Sequence, residues 1–132
     1  MLEVVSKIGS VNKSEEEIYD RLSDFNNLGQ MLPKDKVSDW QATEETCSFT
    51  IEKVGNIELH IIEKQPNKLI KIGGGGAIPM NFDLWIQLKQ INTNKTAVRI
   101  TTKAKVNVMM KKMLKNPLQK ALDGIIDNLE KM

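Results

Sequence analysis

The sequence predicts an α+β fold: a curved, seven-stranded antiparallel sheet, in the order β-α-α-β6-α, wrapped around a long C-terminal helix. Three observations carry this. Apolar and polar residues alternate with a period of two between Val37 and Val106. The period lengthens to that of a helix from about Asn107 to Met132. A short β-branched segment and a capped helix precede both. A length of 132 residues suits one domain, expected to span 1–132.

The first segment, Leu2–Ile8, reads as a strand with Val4, Ser6 and Ile8 on one face. Ser14-Glu15-Glu16-Glu17 follows as a capping box, in which the Ser14 hydroxyl accepts from the Glu17 amide. Three carboxylates in that first turn suit the positive end of the helix dipole. Ile18, Leu22 and Phe25 recur at helical spacing, which predicts a helix over 15–26 that Asn26-Asn27 breaks. Leu28, Met31 and Leu32 predict a second short helical turn ending before Pro33.

Six strands in a row then follow. Cys47, Phe49 and Ile51 form one inward set, and Ile57, Leu59 and Ile61 another. Phe82, Leu84, Ile86 and Leu88, then Val98, Ile100, Thr102 and Ala104, repeat the pattern. Turn residues fall between the runs at Gly55-Asn56, Pro66-Asn67, Gly73–Gly76 and Asn92-Thr93-Asn94. The pattern is that of a meander with one wet and one dry face. In the last segment Met110, Leu114, Leu118, Ala121, Leu122, Ile125 and Leu129 form an apolar stripe. Some 25 residues at about 1.5 Å each give a helix of roughly 37 Å. Pro117 lies inside it and is expected to kink or re-register the preceding turn.

Composition excludes several classes. Hydrophobic residues make up 40% and charged residues 27%, the balance of a folded globular protein. No apolar run approaches the roughly 18 residues that span a bilayer, and the N-terminal residues lack the pattern of a signal peptide. Stable membrane insertion is not expected, and the expected compartment is cytoplasmic. A single cysteine, Cys47, excludes an internal disulfide; with one histidine, His60, no Cys/His metal site and no cofactor are expected. Residues 1–66 carry 7 Lys/Arg against 13 Asp/Glu, whereas residues 67–132 carry 12 against 4. Only Arg21 and Arg99 are arginines, so this polarity speaks for a charged surface and against nucleic-acid readout.

A bent sheet with a dry concave face needs a cover, and the terminal helix is the only element long enough. One helix cannot fill a wide concavity, so volume remains between the layers. In this arrangement the chain resembles the START-like helix-grip superfamily, also called SRPBCC. That group includes birch-pollen-allergen-type proteins and polyketide cyclases. The resemblance covers essentially the whole chain. It rests on the element order, on the Ser14–Phe25 helix followed by Asn26-Asn27-Leu28, and on Met109–Leu114, Asn116-Pro117-Leu118 and Gln119–Leu129. One departure is the position of the glycines. The pollen-allergen branch has a glycine-rich loop early in the meander, whereas Gly73–Gly76 come late, after Leu69–Ile72.

Those glycines lack the following Lys-Ser/Thr and helix of a phosphate loop, so they are expected to form a turn or bulge at the cavity rim. The candidate ligand-binding residues are Phe49, Ile51, Leu59 and Ile61 from the early strands and Phe82, Leu84, Ile86, Val98 and Ile100 from the late ones. Met110, Met113, Leu114 and Leu118 complete the set from the helix. Methionines Met109, Met110 and Met113 are either core filling or a pliable lining. Glu63 continues the inward phase of Ile57, Leu59 and Ile61, which makes it the candidate polar group or general base of the cavity. His60 falls on the wet face without triad partners. Cys47 is an inward, inert thiol. Trp85 points outward among Asp83, Gln87 and Lys89, as a surface residue or a homodimer or partner contact. Lys103, Lys105, Lys111, Lys112 and Lys115 either keep the sheet soluble or attract an anionic head group near the mouth.

The leading reading is binding or transport of a small hydrophobic or amphipathic molecule between sheet and helix, without catalysis. A cyclase- or hydrolase-like enzyme on the same scaffold, or a protein-interaction module using the outer sheet face, are the alternatives. No catalytic residue is assigned.

Overall fold

A computed structural model describes residues 2–29, 37–52, 55–76 and 81–131. Strands β1 (Leu2–Val5) and β2 (Gly9–Val11) precede helices α1 (Glu15–Leu22) and α2 (Phe25–Leu28). The meander comprises β3 (Val37–Ala42), β4 (Thr46–Ile51), β5 (Gly55–Gln65), β6 (Leu69–Gly76), β7 (Phe82–Asn92) and β8 (Lys95–Ala104). Helix α3 (Val108–Glu130) closes the chain. The strands form one antiparallel sheet in the order β1-β8-β7-β6-β5-β4-β3, with β2 also paired to β8. This is the α+β architecture expected, with eight strands because the first one divides.

The division has a local cause. Ser6 donates its N–H to the Ile100 carbonyl, while its hydroxyl accepts the Ile100 N–H at 2.8 Å and donates to the Lys7 carbonyl at 2.8 Å. One side chain thus replaces a rung of the ladder, and the chain kinks. Inward phase passes from Leu2, Val4 and Ser6 to Gly9 and Val11. Ile8, expected indoors beside Val4 and Ser6, is therefore 67% exposed.

Ser14 caps α1 as expected, accepting the Glu17 N–H at 3.3 Å. The helix ends earlier than the sequence pattern suggested. Asp24 adopts an extended conformation and accepts the Asn26 N–H at 2.9 Å, so it starts α2 instead of continuing α1. Asn26 and Asn27 lie inside α2. Met31, Leu32 and Pro33 lie outside the described residues.

In the meander, the inward sets alternate as expected, and Cys47, Phe49, Ile51, Ile57 and Leu59 are all buried. Register breaks once within β5: Ile61 pairs with Ile72, but Glu63 pairs with Lys71. Ile62 is the extra residue of a bulge, and one extra residue exchanges the two faces. Lys64, opposite buried Ile70, takes the inner phase, and Glu63 turns out to solvent. There its carboxylate accepts from Gln65 Nε2 at 2.6 Å.

Gly73–Gly76 form neither a turn nor a rim bulge. They are extended strand, paired with His60–Ile57 of β5, and Gly73 and Gly74 pair also with Asp83 and Phe82 of β7. Bare backbone is needed there because large side chains lie on it. A Cβ on Gly74 would fall within 3.0 Å of three ring carbons of Phe82. On the opposite face, one on Gly73 would meet Ile62 and His60 within the same distance.

Helix α3 is capped by Asn107, whose side chain accepts the Met110 N–H at 2.8 Å. It runs through Pro117, at the loss of one backbone hydrogen bond. Its polar ties to the sheet gather in its C-terminal half. Gln119 Nε2 donates to the Val5 carbonyl at 2.9 Å, Asp123 accepts the Lys7 N–H at 2.8 Å, and Glu130 accepts the Ser10 N–H at 3.0 Å. The Asp127 carboxylate pairs with the Lys7 ammonium and raises its pKa. Close approach is possible because Gly9 leaves room for the fully buried Ile126. Leu114, Leu122 and Leu129 carry the stripe into the core.

Candidate ligand cavity

Between the concave sheet, the α1–α2 pair and α3 lies a cavity of about 70 Å³. The meander supplies Phe49, Ile51, Ile57, Leu59 and Ile72 on one side. Phe82, Leu84, Ile86, Ile100, Thr102 and Ala104 come from β7 and β8. Helix α3 contributes Leu118, Ala121, Leu122, Ile125 and Leu129. Leu22 and Leu28 close it from α1 and α2. The lining side chains are aliphatic or aromatic apart from Thr102, whose hydroxyl donates to the Asp83 carbonyl at 2.9 Å. A polar group already satisfied within the protein offers a ligand little. No carboxylate, amine, imidazole or thiol is among these residues.

Of the candidate binding residues, the fold brings Phe49, Ile51, Leu59, Phe82, Leu84, Ile86, Ile100 and Leu118 together around the cavity. Val98 and Leu114 are buried in the core beyond it, and Ile61 and Met110 are half-buried against that core. Met113 is misplaced by the sequence reading and is 63% exposed. At 3.6 residues per turn it stands about 100° around the helix from Leu114, which takes the inward position. Met109 is likewise exposed, at 73%. Glu63 is no cavity group, because the bulge at Ile62 turns it away.

Several lining residues escaped the sequence reading. Ile57, Ala121, Leu122, Ile125 and Leu129 had the inward phase, which was the available signal; Leu22 and Leu28 had it too, without indicating what they face. Trp40 is half-buried and stacks on Phe49 with centroids 5.7 Å apart. Outside the sheet, half-buried Trp85 has the Lys71 and Lys103 ammonium groups 5.6 and 5.8 Å from its ring.

A second depression, of about 470 Å³, opens widely to solvent beside β4 and β5 and includes Thr46, Cys47, Glu58 and His60. It lacks an activated nucleophile. Burial pushes the Cys47 thiol up to about 12, so it stays protonated and unreactive at neutral pH. His60 is exposed on the wet face, as expected. Among the described residues no cluster of three or more His, Cys, Asp or Glu could hold a metal ion. No described helix is long and apolar enough to cross a membrane.

No protein-family model matches the chain, and no curated protein sequence matches it significantly. Solved structures do. The protein XoxI from Bacillus cereus superposes with a TM-score of 0.78 at 14% identity, covering 99% of this chain and 94% of that one. A conserved protein from Geobacillus kaustophilus gives 0.71 at 16% identity, covering 98% and 92%. A START superfamily protein from Mycobacterium smegmatis gives 0.63 at 18% identity, covering 96% and 98%.

Proposed function

We propose that residues 1–132 act as one domain that carries or senses a small hydrophobic or amphipathic molecule, held between sheet and α3 without being transformed. The premise is the helix-grip fold, an antiparallel sheet packed on a long C-terminal helix, with a START superfamily protein among the structural neighbours. One observation carries this reading: the cavity lies where the fold separates its layers, and among the described residues its lining is apolar except for a satisfied threonine. Such a surface rewards hydrocarbon through burial at roughly 25 cal/mol per Å² and offers no group for proton transfer or nucleophilic attack. An enzyme would need titratable groups facing the bound molecule.

The cavity of about 70 Å³ is smaller than the roughly 150 Å³ apolar cavity that admits benzene. Larger guests therefore require side chains to move. The half-buried members of the lining are Val37, Phe82, Leu84, Leu118 and Ile125, and they form its adjustable side. Phe82 is the largest of them, and swinging its ring off Gly74 deepens the space.

Titration with anilinonaphthalene sulfonate tests the reading. Saturable fluorescence enhancement is expected while the protein still melts cooperatively, with at least tenfold weaker binding in Leu118→Trp. Absence of saturable binding by the folded protein, or equal binding by that variant, overturns it.

A further inference from the structure

We propose that the first turns of α3 dock the protein on an anionic lipid surface. Val108, Met109 and Met113 are exposed at 71%, 73% and 63%, and three of the four most exposed large apolar side chains among the described residues thus lie in these turns. Met109 and Met113 stand one turn apart on the solvent side of the helix, four residues being close to 3.6. Lys112, Asn116 and Lys120 fall within about 100° of the same arc. The patch is thus apolar at its centre and cationic at its border.

Charge selects the partner. Lys105, Lys111, Lys112, Lys115 and Lys120 are all exposed, and none forms an ion pair among the described residues. No Asp or Glu occurs in the sequence between Asp83 and Asp123. A second copy of the chain would bring the same lysines face to face, and repulsion opposes that contact. A plane of anionic head groups attracts each lysine and accepts methionine side chains among its acyl chains. Anchoring supports this orientation: the polar ties of α3 to the rest of the fold lie at Gln119, Asp123, Asp127 and Glu130, and among the described residues none covers Val108, Met109 or Met113. The docking is peripheral, since no described helix can cross a bilayer.

Co-sedimentation with vesicles tests it. The full chain is incubated with vesicles of phosphatidylcholine alone, and with vesicles in which about one-third is phosphatidylglycerol. Binding to the anionic vesicles only is expected, with loss at high salt. Two double variants, Met109→Asp with Met113→Asp and Lys112→Glu with Lys120→Glu, should each weaken it at least tenfold while melting like wild type. Leu118→Trp, which fills the cavity, should bind vesicles normally, so this result is independent of the carrier reading. Failure to bind anionic vesicles, equal binding to both compositions, or wild-type binding by both double variants refutes the proposal. Sedimentation equilibrium provides a further check: a dimer that the methionine variant dissolves would assign the patch to self-association instead.

Discussion

Substituting Gly74 by alanine measures how tightly the cavity wall is built. The added Cβ would fall within 3.0 Å of three ring carbons of Phe82, closer than carbon atoms pack. Forcing a methyl group into an occupied site costs about 1–3 kcal/mol. Against this, Gly74 is not in the left-handed region, so alanine recovers about 0.4–1 kcal/mol of unfolded-state entropy. The balance runs from near zero to a loss of about 2.6 kcal/mol and centres on about 1.3 kcal/mol. With unfolding entropy near 2.1 cal/mol/K per residue, a chain of 132 residues should then melt roughly 5 °C lower at that central value. Phe82→Leu removes the ring carbons concerned. In that background Gly74→Ala should be neutral or stabilising, which gives a coupling of about 1 kcal/mol or more in a double-mutant cycle. Circular dichroism melts and urea titrations of the four proteins supply the cycle. Additivity within about 0.3–0.5 kcal/mol would refute the claim that the glycine exists to seat the ring.

Two other positions give further predictions. Ser6→Ala should cost about 1–3 kcal/mol in urea titration, because the Ile100 N–H would lose its hydroxyl acceptor in the buried interior; an unchanged midpoint would contradict that. Cys47 should resist a thiol-reactive disulfide reagent at pH 8 in the native protein and react in denaturant, and rapid native labelling would contradict its burial. Its pKa is raised from 9.0 to about 12 on folding, so its contribution to stability is complete below pH 9 and is lost progressively as pH rises toward 12.

Much of the architecture was legible because its signals are local and redundant. Alternation in Cys47–Ile51 and Val98–Ala104 predicts strands with a dry face, and Ser14 with Glu17 marks a helix start. Bulges are a different matter. An added residue at Ile62 leaves clean alternation on either side and still exchanges the faces, so Glu63 could not be placed by counting from Ile57. Ser6 does the same to Ile8 through one side-chain hydrogen bond across 94 positions of sequence. A similar irregularity sets the face of Trp40: β3 shifts register between Ser38 and Gln41, with Asp39 at a φ of 56°.

The cavity was legible in phase but not in extent. Met113 and Leu114 are adjacent in sequence, and only docking of the helix decides which of them enters the core. Gly73–Gly76 read as a turn by composition, whereas Gly73 and Gly74 serve the approach of His60, Ile62 and Phe82 from other strands. Such tertiary demands leave no trace in a window of neighbouring residues.

Methyl-resolved NMR during titration with a medium-chain fatty acid tests the central claim most directly. Ile57, Ile72, Ile100, Leu118 and Ile125 methyl signals should shift together and saturate, while exposed Ile8, Ile62 and Ile91 stay still. Shifts confined to the exposed methyls, or none in the lining at saturating ligand, would contradict an apolar binding cavity between sheet and helix.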